Sequence, residues 1–141
     1  MTTQPVKTSK VKNNKTIGSE FEKDFCAYLS KIGFWVHFLN PAPNGSQPFD
    51  IIAISRDTVL CIDCKTLDGE RFSFNRIEDN QESAFSMLNN KGIWTTYFCI
   101  KISDTEIVMA PSFELIKLSH SGLKSITVRR LVDLYGTHNF K

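Results

Sequence analysis

The chain predicts an α/β fold, a β-sheet with helices packed on it, and three observations carry that expectation. Short runs of Ile, Val, Leu and Cys bounded by polar turns alternate with segments whose apolar residues recur at helical spacing. Their order is helix, three strands, helix, two strands, helix. At 141 residues, 41% hydrophobic and 23% charged, the sequence has the size and composition of one domain with one core.

Residues 1–17 carry Lys7, Lys10, Lys12 and Lys15 and no acidic residue. They predict a flexible basic arm ahead of a single domain over 18–141, either a phosphate-contacting arm or a solvated tail. The first helix runs from Glu20 to Gly33, with Ser19 as N-cap and Gly33 as stop, and Phe21, Phe25, Tyr28, Leu29 and Ile32 as its apolar stripe. At about 100° per residue the stripe centres near Ile32 and Phe21, which leaves Glu22 at its border and turns Glu20 toward water.

Phe34 to Asn40 reads as a first strand, with Phe34, Trp35 and Phe38 as core residues or, for one of them, part of a dimer interface. Pro41 to Pro48 is a loop with Asn44-Gly45 as its tight turn. Pro48 to Ile54, a break at Ser55-Arg56-Asp57, and Thr58 to Thr66 then read as a hairpin. Asp68-Gly69 marks a turn, and Arg71 to Phe74 a short extended piece. Ile77 to Asn90 is a second helix with Ile77, Ala84, Phe85 and Leu88 on its apolar stripe. Trp94 to Ile102 and Glu106 to Ala110 are two more strands, and Pro111 opens a short helix through Leu118. Ser125 to Tyr135 fits a helix or a strand, with a preference for helix.

The chemistry concentrates between Pro48 and Thr66. Asp50, Asp63 and Lys65 interrupt apolar runs, and charged side chains are rarely buried unless paired or bound to metal. Residues two apart in a strand share a face, so Asp63 and Lys65 point the same way, and Asp50 at the start of the neighbouring strand can face them. The result is a compact metal site with a cation beside it. An acid-x-lysine triplet alone is weak, since about one is expected by chance in a chain of this composition. Gln81 adds weight, because it falls inside an apolar stripe, where an amide needs partners. It reads either as a stripe-edge residue bonding backbone or as a residue aimed at the Asp-Lys site.

These motifs resemble the PD-(D/E)XK nuclease superfamily, and in particular its cellular Holliday junction resolvases. Gly18-Ser19-Glu20-Phe21-Glu22 is similar to the first-helix motif, and assigns the glutamate to Glu22. Pro48-Phe49-Asp50 and Asp63-Cys64-Lys65 are similar to the core motif. Ile77 to Gln81 resembles the glutamine-bearing helix of the RecU-type resolvases, and Lys124-Ser125-Ile126 a stretch near their C-terminal end. RecU-type proteins insert a long stalk before the catalytic aspartate, whereas here only Asn40 to Phe49 intervenes; that shortness is closer to archaeal-type resolvases or small phage-encoded relatives.

The resemblance implies a restriction-endonuclease-like central mixed β-sheet flanked by helices. It implies a Mg²⁺- or Mn²⁺-dependent endodeoxyribonuclease in which Glu22, Asp50 and Asp63 ligate the metal with the Cys64 main-chain oxygen. Lys65 would orient or deprotonate a water or offset phosphate charge, and Gln81 would hold Lys65 or that water. The substrate would be branched DNA, a four-way junction above all. Phosphate contacts would come from Lys7, Lys10, Lys12, Lys15, Asn44, Ser46, Arg71 and Arg76, with Arg129 and Arg130 as further candidates. Symmetric cutting implies a homodimer. The alternatives are a restriction-like or repair nuclease on linear or flapped DNA, and a non-catalytic nucleic-acid-binding module of the same fold.

Cys26, Cys61, Cys64 and Cys99 lie among apolar residues, and Cys61 and Cys64 sit three apart in a strand, on opposite faces. They read as small buried hydrophobes rather than disulfides or zinc ligands. Reduced cysteines, with no secretory or membrane-spanning run, predict a cytoplasmic protein; a bacterial or phage-encoded origin is what the resemblance implies. His37, His120 and His138 carry no motif, and there is no Walker loop or dinucleotide fingerprint.

Overall fold

The computed structural model describes residues 14–39, 47–67 and 69–141. Lys7, Lys10, Lys12, Asn44, Ser46, the Asn44-Gly45 turn, Asp68 and the side chain of Lys15 lie outside the described residues.

Helix α1 spans Asn14–Lys31 and β1 spans Trp35–Phe38. Strands β2 (Ile51–Ile54), β3 (Val59–Thr66) and β4 (Arg71–Ser73) follow, then a 3-10 turn over Phe74–Arg76 and helix α2 (Asp79–Asn90). The chain continues through β5 (Thr96–Lys101), β6 (Glu106–Pro111), α3 (Ser112–Ser119), β7 (Ser125–Thr127), α4 (Val128–Tyr135) and β8 (His138–Asn139). The main sheet is mixed, in the order β1-β2-β3-β5-β6-β8, and β4 pairs with β7 in a separate ribbon. Among the described residues, only the β3–β5 pairing is parallel, with α2 in the connection between them, as a parallel pair requires.

Alternation along the strands divides the core between the two faces of the sheet. Phe21, Phe25 and Leu29 of α1 pack with Ile51, Ala53, Ile62 and Cys99 on one face. Phe85 of α2, Leu115 of α3 and Leu131 of α4 pack with Cys61, Phe98, Ile100 and Val108 on the other. Ile62 faces α1 and Cys61 faces α2, so a period of two carries Asp63 and Lys65 to the α2 side. That parity brings the charged pair under the first turn of α2.

Several local expectations change. Helix α1 begins at Asn14, so Ser19 lies inside the helix rather than at its cap. It ends at Lys31, and Gly33 at φ 109 turns the chain out of it; Ile32, beyond the last turn, is 52% exposed instead of central to the buried stripe. Trp35 is 61% exposed and Phe38 39%, so these two are not core residues. They stand on β1, to whose outer edge no strand pairs among the described residues. The segment 125–135 is both of the readings it allowed: three residues pair with β4 and the next eight coil into α4, with Thr127 Oγ1 accepting from Arg130 N at the cap. All four cysteines are free, Cys61 and Cys99 fully buried.

Candidate active site

Asp50 immediately precedes β2, where the hairpin register Ile51↔Ile62 lays it beside the C-terminal half of β3. Its main-chain N–H donates to Ile62 O (3.0 Å), and its Oδ2 accepts from Cys64 N at 2.8 Å. Oδ1 accepts from Gln47 Nε2 at 2.9 Å. Asp63 and Lys65 project from the same face of β3, both buried, with Lys65 Nζ 3.1 Å from Asp63 Oδ2.

Gln81 closes this pair from above. Its Oε1 accepts from Lys65 Nζ (3.2 Å) and from Glu78 N (3.2 Å), and its Nε2 donates to Asp63 Oδ1 at 3.0 Å. Lys65 and a main-chain N–H only donate, so the amide can take only this orientation. The bond to Glu78 N is also half of a reciprocal capping box in which the Glu78 side chain accepts from the Gln81 main chain. Both readings of Gln81 therefore hold at once: it bonds backbone at a helix end and reaches the charged pair. Lys65 Nζ donates in addition to Arg76 O at 2.9 Å.

Glu22, on the inward border of α1, completes the ring. Glu22, Gln47, Asp50, Asp63, Cys64, Lys65, Glu78 and Gln81 line one cavity of about 260 Å³. Burial pushes the Glu22 carboxyl up to about 7, and the Asp50 charge and a hydrogen bond with Asp50 add to the rise. Burial lifts Asp63 to about 8; the Lys65 ammonium opposes this and Asp50 reinforces it. Asp63 Oδ2 is buried without a hydrogen-bond partner, its contact with Lys65 being an ion pair by distance alone.

Among the described residues, no group of three or more His, Cys, Asp or Glu side chains is gathered to hold a metal ion. The oxygens are instead drawn onto the site's own donors, Asp63 toward Lys65 and Gln81, Asp50 toward Gln47 and Cys64. Their chemistry nevertheless fits a hard divalent cation: carboxylate oxygens around one cavity, with two carboxyls whose charged forms burial disfavours.

The structure thus brings Glu22, Asp50, Asp63, Cys64, Lys65 and Gln81 to one cavity and leaves the arginines outside it. Arg76 braces the fold, its guanidinium donating to Thr66 O and lying 5.7 Å from the Phe72 ring centroid. Arg71 is on the β4–β7 ribbon, where its Nε donates to Ser125 Oγ at 2.9 Å. Arg129 and Arg130 are exposed on α4. Gln47 and Glu78 were missed by the motif reading. A polar residue at the position before the acidic first turn of α2 was the available signal for Glu78; Gln47 offered none beyond lying three residues before Asp50.

A family model described as archaeal Holliday junction resolvase (Hjc) matches residues 13–134. The fold is similar to that of Archaeoglobus fulgidus Hjc, a Holliday junction resolvase from an archaeal hyperthermophile. The TM-score is 0.57 at 19% identity, over 79% of this chain and 88% of that one. No curated protein sequence matches the chain. Of the two resolvase types that the motifs resemble, the archaeal one is matched.

Proposed function

The chain belongs to the archaeal Holliday junction resolvase family, a family of structure-specific DNA endonucleases, and from that premise we propose that the cavity under α2 is its metal-dependent phosphodiester-cleaving site. The observation that supports this most is the convergence on one cavity of Glu22 from α1, Asp50 from the residue before β2, Asp63 and Lys65 from β3, and Gln81 from α2. A chance triplet on β3 requires neither the glutamate of α1 nor the glutamine of α2.

Glu22, Asp50 and Asp63, with the Cys64 main-chain oxygen, would hold Mg²⁺ or Mn²⁺. A divalent cation there supplies charge stabilisation at the scissile phosphate and a water acidic enough to act as nucleophile near neutral pH. Lys65, set among a carbonyl, an amide oxygen and a carboxylate, offers a fixed positive charge to the developing phosphorane. Gln81 holds Lys65 and Asp63 in one relative setting, so their mutual orientation needs no rearrangement at the moment of reaction.

Resolution of a four-way junction needs two cuts, so the active species is a C2 homodimer carrying two such cavities. Phosphate contacts from Arg71, Arg129, Arg130 and the basic residues near the N-terminus make binding fall steeply with salt. A cytoplasmic setting suits both the DNA substrate and four reduced cysteines. Within the described residues, no helix is long and apolar enough to cross a membrane.

The test is cleavage of a labelled four-way junction and a matched linear duplex across Mg²⁺ and Mn²⁺ titrations, with Asp63→Ala in parallel. Paired, metal-dependent nicks on the junction that vanish in Asp63→Ala support the reading. Equal cutting of the duplex would favour a linear-DNA nuclease. Junction binding without cutting under either metal would leave only a binding module.

A further inference from the structure

The two aspartates of the cavity are held from one place, the first turn of α2, by two separate routes. Gln81 reaches Asp63 directly, Nε2 to Oδ1 at 3.0 Å. Its neighbour Asn80 reaches Asp50 in two steps. Asn80 Nδ2 donates to Gln47 O at 2.7 Å, and Gln47 Nε2 donates to Asp50 Oδ1 at 2.9 Å.

We propose that Asn80 and Gln47 are positioning residues for the Asp50 carboxylate, Asn80 acting on it only through Gln47. The proposal rests on the reading of the cavity as a divalent-cation site and names what sets the spacing of its two aspartates. Asp50 lies outside any strand, and its carboxylate takes one orientation because each oxygen accepts a bond: Oδ2 from Cys64 N, at 2.8 Å, and Oδ1 from Gln47. Cys64 N belongs to β3 and is fixed by the sheet. Gln47 belongs to neither helix nor strand, and a glutamine on a loop holds a partner well only if its own main chain is held. Asn80 supplies that hold from a rigid helix 33 residues further along the chain. One helical turn then fixes both carboxylates, and the bite presented to a cation follows from the Asn80-Gln81 pair. Partners that orient a metal ligand from behind typically change metal affinity about 10- to 100-fold when lost.

The relay makes a demand that a general stabilising role does not. Two residues acting in series are not additive: once Gln47 has lost its amide, removing Asn80 has nothing left to act through. The experiment is calorimetric Mn²⁺ binding to the full chain as wild type, Asn80→Ala, Gln47→Met, the double variant and Asp63→Ala. Cleavage is read against Mn²⁺ concentration for the same set. Each single substitution is expected to weaken Mn²⁺ binding about 10-fold and move the metal midpoint of cleavage by the same factor, while the rate at saturating metal stays within about 3-fold of wild type. The double variant is expected to match Gln47→Met. Gln47→Met is nearly isosteric and lies outside any helix or strand, so it decides the role of Gln47 by itself if Asn80→Ala does not fold; Asn80→Ser is then the second arm. Wild-type Mn²⁺ affinity in Gln47→Met, or effects that add fully in the double variant, would overturn the proposal and leave the metal site standing. A wild type that binds no more Mn²⁺ than Asp63→Ala would overturn both.

Discussion

At the C-terminal end of α2, Asn89 Nδ2 donates to Ile93 O (2.9 Å) and Thr96 Oγ1 (3.1 Å), and Thr96 Oγ1 lies 2.6 Å from Ser112 Oγ. At its N-terminal end, Gln81 joins Asp63 and Lys65. Both clusters are buried polar groups tying the same helix to the same sheet, and both interrupt apolar faces. The first is neutral, does not line the cavity under α2, and has its amide nitrogen and both hydroxyls paired, so it has the energetics of a structural clasp. The second is charged and opens on a cavity, with carboxyls shifted toward their neutral forms. Burial of polar residues is therefore a poor guide to function here. Residual electrostatic strain beside an opening is a better one.

The sharpest way to break this contrast is Asp63→Asn. It keeps the shape and removes the charge, and cleavage at saturating Mg²⁺ is expected to fall by about 10³-fold or more, roughly 4 kcal/mol of transition-state stabilisation. The substitution also leaves the buried Lys65 ammonium without its carboxylate, so thermal stability of the metal-free protein should fall too, and the rate is read on folded protein. Cleavage by folded Asp63→Asn within about 10-fold of wild type would make the N-terminal cluster a clasp like its counterpart.

Metal and pH probe the same strain without mutation. The folded-state values of Glu22 and Asp63 lie above their ordinary ones, at about 7 and about 8. In the window between, the folded state retains protons that the unfolded chain releases, so stability is full below pH 4 as regards these groups and falls as pH rises through 7 to 8. Melting curves in EDTA from pH 5 to 8.5 should show this decline. Mg²⁺ at about 100-fold its dissociation constant should offset it, by about 2.7 kcal/mol. A metal-free stability that rises with pH across the window would contradict the assignment.

Thr96→Val tests the other end of the helix. Its hydroxyl serves Asn89 and Ser112, both buried, so its loss should cost about 1–3 kcal/mol in denaturant unfolding while folded protein keeps its cleavage rate. The smallest effect is expected at the exposed pair His120–Glu82, 2.9 Å apart on the outer side of α2. Glu82→Ala should change stability by about 0.5 kcal/mol or less, and cleavage not at all.

Much of this contrast was legible before folding. Asp50, Asp63 and Lys65 announced themselves as charges inside apolar strands, Gln81 as an amide inside an apolar stripe, and Glu22 as the one glutamate of its helix at the inward border. Asn89, Thr96 and Ser112 gave no such signal, since small neutral polar residues are ordinary near helix ends and in strands. Arg76 looked like a surface cation and is a brace, because only the fold lays Thr66 O and the Phe72 ring beside it. Trp35 looked like core because large aromatics usually are, and strand order put it on an edge.

By itself the sequence determined the types of the longer elements, the hairpin carrying the acidic pair and the parity that puts Asp63 and Lys65 on one strand face, since these depend on periodicities of two and 3.6 and on local turn chemistry; the short strands at 125–127 and 138–139 it did not resolve. Tertiary structure alone decided which helix meets that face, that Gln47 and Asn80 bridge to Asp50, and which of two similar polar clusters is strained. Those outcomes depend on contacts between residues far apart in the chain and on burial from water, and neither is encoded in any local pattern.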